Sequence, residues 1–307
     1  MVLMVSCIIQ QDPQFNVSSY PLQAVCVVNT IMRKLTLLQR RFFLPTEHGA
    51  WIWWIGPFII GIAAARLWTL DLAILFVAML AAFLLRQPLT LFVKTYSGRR
   101  PQSDRSPALV WMGFYSLLAL GAFIMLLDSG FGRLVWLLLP GIPVFTWHLI
   151  LVSRRAERRK PGIEIVGAGV LALAAPASYW VASGTSTSLA WALWAITWLQ
   201  SAASIVLVYQ RLQERTLDVS GGISMRIHRA SRSFAYHSFN LVIVLLVWWF
   251  LEFPWMVVLA SALMLLDALD SLRAPALVWK PTRIGLRQLF ASSLFVVLVA
   301  AGFLLDL

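Results

Sequence analysis

Acidic, thiol and imidazole groups are scarce in this sequence. Its 307 residues contain only 13 Asp and Glu, two Cys and four His. The two cysteines, Cys7 and Cys26, have no zinc-ligand spacing and define no disulfide framework. Charged residues make up only 12% of the chain, well below the share found in soluble globular domains. These shortages exclude a soluble protein and a domain held together by disulfides.

Apolar residues take the place of the missing charge. They account for 60% of the chain, which also contains 15 Trp. They form repeated uncharged runs near the length of a membrane span, without the short alternating pattern of an outer-membrane barrel. We therefore predict an all-α, polytopic transmembrane helical bundle with about nine spans, over residues 32–307. The spans are placed at 49–65, 70–92, 108–127, 134–152, 164–182, 189–209, 234–251, 254–272 and 287–305.

Residues 1–31 fit this pattern poorly. Their apolar stretches are too short to span a membrane, and the first ten residues have no positive region that would make them a signal peptide. Two interpretations remain open for this segment. It is either a poorly ordered N-terminal arm or an artefactual extension ahead of an ordinary start near Met32.

The positive charges divide unevenly between the two sides of the predicted bundle. The net charge is +12, but the basic residues lie between apolar spans instead of on a soluble domain, which excludes nucleic-acid binding. All 25 Lys and Arg fall on one side except Arg66 and Arg133, on the other side, and Arg86, inside a span. The positive-inside rule therefore predicts a multi-pass protein with its N-terminus in the cytoplasm and its C-terminus outside.

Ionisable and polar groups cluster in the cytoplasmic half of the predicted spans. Arg86 stands inside the second span, where a charge costs about 2.5–3.5 kcal/mol and so requires a compensating group. This distribution predicts a cavity open to the cytoplasm and sealed outside. The predicted substrate-binding residues are Glu47, His48, Arg86, Lys94, Arg99, Arg100, Tyr209, Arg211, Asp267 and Asp270.

Simpler interpretations of these residues remain open. Arg86 could extend along the helix to reach the head groups, and Asp267 and Asp270 could be interfacial anchors. Glu47 and His48 could simply begin the first span, where a helix N-terminus favours an acidic group. The residues indicate no metal site and no catalytic residue, and the cofactor is unknown.

Three motifs resemble those of a known family. These are PTEHGAW at residues 45–51, RQPL at 86–89 with Arg99-Arg100, and KPTRIGLRQL at 280–289. Together with nine spans, they resemble the YwiC-like family of bacterial membrane proteins from about residue 32 to the end. The resemblance implies a multi-pass protein of the bacterial cytoplasmic (inner) membrane and little about chemistry.

The span count and the longer cytoplasmic loops are also similar to the UbiA prenyltransferase superfamily. That resemblance implies an isoprenyl diphosphate bound through Mg²⁺ by aspartate-rich motifs after spans 2 and 6. Here the first position reads RQPLTLFVKTYSGRR, and the second offers only Glu214 and Asp218. A Mg²⁺-bridged diphosphate needs more carboxylate oxygens than these, so arginines are expected to bind an anion directly.

Three functional hypotheses follow. The first is a UbiA-like bundle, a transferase or a degenerate relative, that binds an isoprenoid or quinone-like lipid or another anionic-headed ligand at the cytoplasmic face. The second is an organic-anion transporter. The third is a non-catalytic assembly partner of a membrane complex.

Overall fold

The computed structural model describes residues 39–45, 49–155, 160–217 and 222–305. Over these ranges the regular secondary structure is helical throughout. The predicted arm at residues 1–31 lies outside the described residues, and so do Glu47 and His48.

Eleven α-helices and one short 3₁₀ turn follow one another in the described ranges. They are α1 (Arg40–Phe43), α2 (Gly49–Ala65), α3 (Leu70–Tyr96), the 3₁₀ turn Gln102–Asp104, α4 (Arg105–Asp128), α5 (Leu134–Ser153), α6 (Pro161–Leu171), α7 (Ala174–Ser183), α8 (Ser188–Glu214), α9 (Ile223–Leu251), α10 (Trp255–Arg273) and α11 (Pro281–Leu305).

The predicted spans coincide with these helices. In the part of the chain that the structure describes, eight helices are long and apolar enough to cross a bilayer, with α6 and α7 counted as one. The predicted first span corresponds to α2, a shorter apolar helix of 17 residues, which is at the lower limit for a span. The chain is therefore an all-α, multi-pass membrane protein.

The fifth span is interrupted between α6 and α7. Pro176 has no N–H, so it cannot donate to the carbonyl four residues earlier, at Ala172. That carbonyl instead accepts from the Ala175 amide at 3.0 Å, which tightens the chain into a turn. The second half of this span, α7, is almost entirely buried.

Helices α2, α7 and α8 form the centre of the bundle. Helix α2 packs against α7, α8 and α11, and α8 also packs against α6, α7 and α9. Helices α9, α10 and α11 cover one side of this centre, and α3, α4 and α5 cover the other. Charged groups on α3 and α10 therefore belong to opposite sides of the bundle.

The two ends of the bundle differ in charge. We call the end where α3, α5, α8 and α10 finish the basic end, because most described Lys and Arg lie there. Here Arg99 donates to the Val152 carbonyl, and Arg215 donates to the Trp279 carbonyl at 3.1 Å. At the opposite end, Arg66 Nε donates to the Phe303 carbonyl at 2.6 Å.

Candidate functional site

An aspartate on α10 joins two arginines near the basic end. Asp267 Oδ2 accepts from Arg211 Nη2 on α8 at 3.0 Å. Its other oxygen, Oδ1, accepts from Arg287 Nε and Nη2 on α11 at 2.8 and 2.6 Å. Arg287 Nη2 also donates to Asp270 Oδ2 at 2.6 Å. These four side chains, which we call the α10 charge cluster, connect three helices with two positive and two negative charges.

Arg211 is the most deeply buried member of the α10 charge cluster. Its exposed fraction is 1%, and only one of its terminal nitrogens is satisfied, by the Asp267 carboxylate and backbone carbonyl. The other terminal nitrogen, Nη1, is buried with no hydrogen-bond partner among the described residues. A buried donor without an acceptor is costly, so this nitrogen is a position where a water or an anionic group would be stabilised.

A second polar network supports Arg211 from the end of α8. Glu214 is buried, and its carboxylate accepts from Gln210 Nε2 at 2.7 Å and from the Ala276 amide at 3.0 Å. Gln210 Nε2 also donates to Ser271 Oγ at 3.2 Å, and its Oε1 accepts from Ser233 Oγ. This network ties α8 to α9 and to the end of α10, and it fixes the turn of helix that carries Arg211.

A groove opens beside this cluster at the start of α11. Its volume is about 860 Å³. One part of its lining is basic and contains Lys280, Arg283 and Arg287. The rest is mainly apolar and includes Trp279 and Phe290. The Arg283 guanidinium lies 4.1 Å from the Trp279 ring centroid, so the ring holds this cation in place.

A separate charge cluster occupies the other side of the bundle. Asp104, in the turn before α4, is 3% exposed. Its carboxylate pairs with Arg41 at 3.3 Å and with Arg100 at 3.2 Å. We call these three side chains the Asp104 cluster.

The structure divides the predicted site residues between the two sides. Arg211, Asp267 and Asp270 come together in the α10 charge cluster. Tyr209, two residues before Arg211 and so on nearly the opposite face of α8, donates instead to Glu164 of α6 at 2.6 Å.

The other predicted residues belong to α3 and the loop that follows it. Arg86 and Lys94 are half-buried on α3, whereas Arg100 belongs to the Asp104 cluster. Arg99 contacts the end of α5, where it donates to the Val152 carbonyl. The structure thus resolves the single predicted cavity into two charged regions.

Several residues of this end are absent from the predicted set. The most important is Arg287, which closes the α10 charge cluster but reads in the sequence as one more topology-setting charge. Its position almost two turns inside the last helix is the signal that could have distinguished it. Asp104, the only acidic residue among the basic ones after the second span, carries a similar signal.

In the described ranges, no three His, Cys, Asp or Glu side chains lie together as a metal site would require. The carboxylates of Asp104, Asp267 and Asp270 are each paired with arginine instead.

The fold and these clusters define a multi-pass helical membrane protein with buried ion pairs near one end. Residues 44–179 match the sequence profile of the family described as YwiC-like protein, which confirms the predicted resemblance over that region. One relative is a Bacillus subtilis (strain 168) protein described as uncharacterized protein YwiC. It is 27% identical over 161 residues, a segment that covers 52% of this chain and 61% of the relative.

No solved structure matches the chain. The similarity to the UbiA superfamily therefore stays a prediction. The profile match spans α2 to α7 and includes the Asp104 cluster except Arg41. The α10 charge cluster and the groove lie beyond its last matched residue.

Proposed function

We propose that this protein binds the anionic head of an amphipathic molecule in the groove at the basic end. The observation that carries the proposal is the lining of that groove. Three cations, Lys280, Arg283 and Arg287, share it with exposed apolar side chains of the same helix. A groove that is basic at one end and apolar at the other suits a lipid with a charged head and a hydrocarbon tail.

Helical spacing gives the groove its two-part character. Lys280, Arg283 and Arg287 are three and four residues apart, so they follow one face at the start of α11. Leu286 and Phe290, which are 67% and 72% exposed, lie further along the helix, away from the basic end. An anionic head would therefore lie near the membrane surface, with its tail along Leu286 and Phe290.

The charge balance favours an anion. In the α10 charge cluster, Asp267 and Asp270 neutralise Arg211 and Arg287. Within the described residues, neither Lys280 nor Arg283 takes part in an ion pair. The groove therefore has two positive charges available for a ligand. Guanidinium groups bind phosphate and carboxylate oxygens in a bidentate manner, and lysine binds them as a point charge.

An isoprenoid or quinone-like lipid with a phosphate or carboxylate head is the ligand class that we propose. Such a molecule matches the groove volume, which lies within the range of small-molecule sites. Because the cluster carboxylates are paired with arginine, the arrangement supports binding better than it supports a particular reaction.

The experiment compares two double variants with equal charge change. Lys280→Gln/Arg283→Gln removes the available cations of the groove, whereas Arg226→Gln/Arg229→Gln removes two cations of α9 at the same end. The purified proteins are extracted for untargeted lipid analysis and titrated with farnesyl phosphate and with farnesol. Each lost charge-assisted contact is worth about 1.5–3 kcal/mol, so we expect the groove variant to bind farnesyl phosphate at least about tenfold more weakly.

The α9 variant should bind like the unmodified protein, and farnesol should bind all three proteins weakly. Equal farnesyl phosphate affinity in both variants would contradict the proposal. So would the absence of any anionic lipid from all extracts together with a failure to bind the phosphate.

Transport of an organic anion is the second candidate. The interrupted span α6–α7 favours it, because transporters often bind their substrates beside discontinuous helices near the membrane midplane. Uptake of a labelled organic anion by proteoliposomes would support this function. Lipid binding without any uptake would favour the first.

A further inference from the structure

A small polar cavity lies deep in the bundle, away from the groove. It has a volume of about 20 Å³ and is enclosed by α2, α8 and α11. The lining residues of α8 and α11 fall near the middle of those helices, and those of α2 run from Ile52 to Ile60, so the cavity lies between the two ends of the bundle. Its polar lining consists of Thr197, Gln200, Ser201, Ser204 and Ser292.

Two hydroxyl hydrogens of this cavity are already in use. Thr197 Oγ1 donates to the Leu193 carbonyl at 2.8 Å, and Ser201 Oγ donates to the Thr197 carbonyl at 2.9 Å. With their hydrogens directed at their own helix, these two oxygens have only lone pairs left to offer. Thr197 and Ser201 therefore offer acceptors to the cavity, while Gln200 donates through Nε2 to Ser204 Oγ at 3.5 Å on the same wall.

Helix α2 supplies a further acceptor. Pro57 has no N–H and cannot donate to the carbonyl of Trp53, four residues earlier. Both residues line the cavity. The Trp53 carbonyl therefore lacks the usual helical bond, and a ligand in the cavity that reached it would stabilise it.

Gln288 of α11 holds the two remaining hydroxyls. Its Nε2 donates to Ser204 Oγ at 2.6 Å and to Ser292 Oγ at 3.2 Å. This bridge links α8 to α11 and fixes the positions of the two serine oxygens on the cavity wall. The site is therefore built before a ligand arrives.

We propose that this cavity binds one Na⁺ ion. Its volume accommodates a single water-sized particle. A water could donate only two hydrogens, whereas a cation can be coordinated by all the carbonyl and hydroxyl oxygens at once. No carboxylate is part of the lining, which favours a monovalent ion over a divalent one. The proposal does not depend on the anionic ligand of the groove.

The test measures thermal unfolding of the full chain in detergent. Protein is melted in NaCl, KCl and choline chloride at equal ionic strength, with the cation varied up to about 100 mM. A ligand that binds only the folded state raises the midpoint in a saturable way, and we expect a rise of roughly 2–4 °C with Na⁺ over choline.

A matched pair of variants assigns the effect to the cavity. Thr197→Val removes one cavity oxygen, and Thr146→Val removes a hydroxyl that makes the same bond to a carbonyl, that of Ile142, on the exposed face of α5. We expect Thr197→Val to lose the Na⁺-dependent rise and Thr146→Val to keep it. Ser292→Ala serves as a second cavity variant if Thr197→Val does not fold.

Identical melting of the unmodified protein in all three salts would overturn the proposal, since the cavity would then hold water only. An Na⁺ effect that persists in both cavity variants would also overturn it. Neither result would bear on farnesyl phosphate binding in the groove.

Discussion

Asp267 is the counter-ion of both arginines in the α10 charge cluster. It is 16% exposed and accepts from Arg211 through one oxygen and from Arg287 through the other. Arg211 is taken out of both water and lipid head groups at a cost that only a close counter-ion can offset. The burial of Arg211 therefore depends on this carboxylate.

Neutralising that carboxylate should destabilise the protein strongly. In Asp267→Asn, Arg211 remains buried without its counter-ion, and breaking a buried pair in this way costs about 3–5 kcal/mol. Asp270→Asn is the matched control, because Asp270 is 47% exposed and a surface pair contributes only about 0–1 kcal/mol. Thermal midpoints of the two variants in detergent measure the difference. Equal midpoints would show that Asp267 is not essential for burying Arg211.

Individual residues also show how far sequence reasoning extends. The depth of Arg211, Asp267 and Asp270 near the basic end follows from counting along each span. Their pairing does not, because it depends on which helices are neighbours, and apolar packing decides that. For the same reason the sequence does not identify the group that compensates the charge of Arg86, since it cannot show that α3 packs chiefly on α4.

At the scale of elements, the crossing of α2 and α7 is the tightest contact of the bundle centre. A Cβ atom on Gly61 would overlap Ser178 Oγ and the Ala175 carbonyl. Ser178 Oγ also donates to the Phe58 carbonyl at 3.0 Å, so the two helices are joined by a hydrogen bond as well as by packing. Membrane helices associate closely where small residues let their backbones approach.

Gly61→Ala should therefore separate α2 from α7. We expect a loss of about 1–3 kcal/mol, the usual range for overpacking a tight core, measured as a lower thermal midpoint. Gly113→Ala in α4 is the control, because a Cβ there meets nothing within 4 Å and alanine is the better helix former. A Gly61→Ala protein as stable as Gly113→Ala would mean that the crossing can relax at little cost.

Helix positions were the most predictable feature of the fold, and their interruptions were the least. Long uncharged runs bounded by polar clusters placed every span. The fifth span is predicted from the sequence as one continuous helix, although Pro176 leads to a turn there. In contrast, α5 stays one helix through Pro140 and Pro143. A proline in a membrane helix can be accommodated by its neighbours, so its residue type alone does not tell whether the helix will break.

On the scale of the whole molecule, charge and apolar surface give the bundle a direction. Large hydrophobic side chains are exposed on α4, α5 and α9, including Leu117 at 74% and Trp249 at 71%. Such surface is stable in lipid and not in water. Most of the described positive charge lies at one end of that apolar belt, which is the asymmetry that the positive-inside rule uses to orient a protein.

The orientation can be tested on the two ends of one helix. Ser103 precedes α4 at the basic end and Ser129 follows it at the opposite end, and both are exposed. In a background with Cys7 and Cys26 changed to Ser, Ser129→Cys should react with a membrane-impermeant maleimide in intact cells. Ser103→Cys should react only after permeabilisation, because the basic end is predicted to face the cytoplasm. The reverse pattern would place the basic end outside, and with it the groove that we propose as a ligand site.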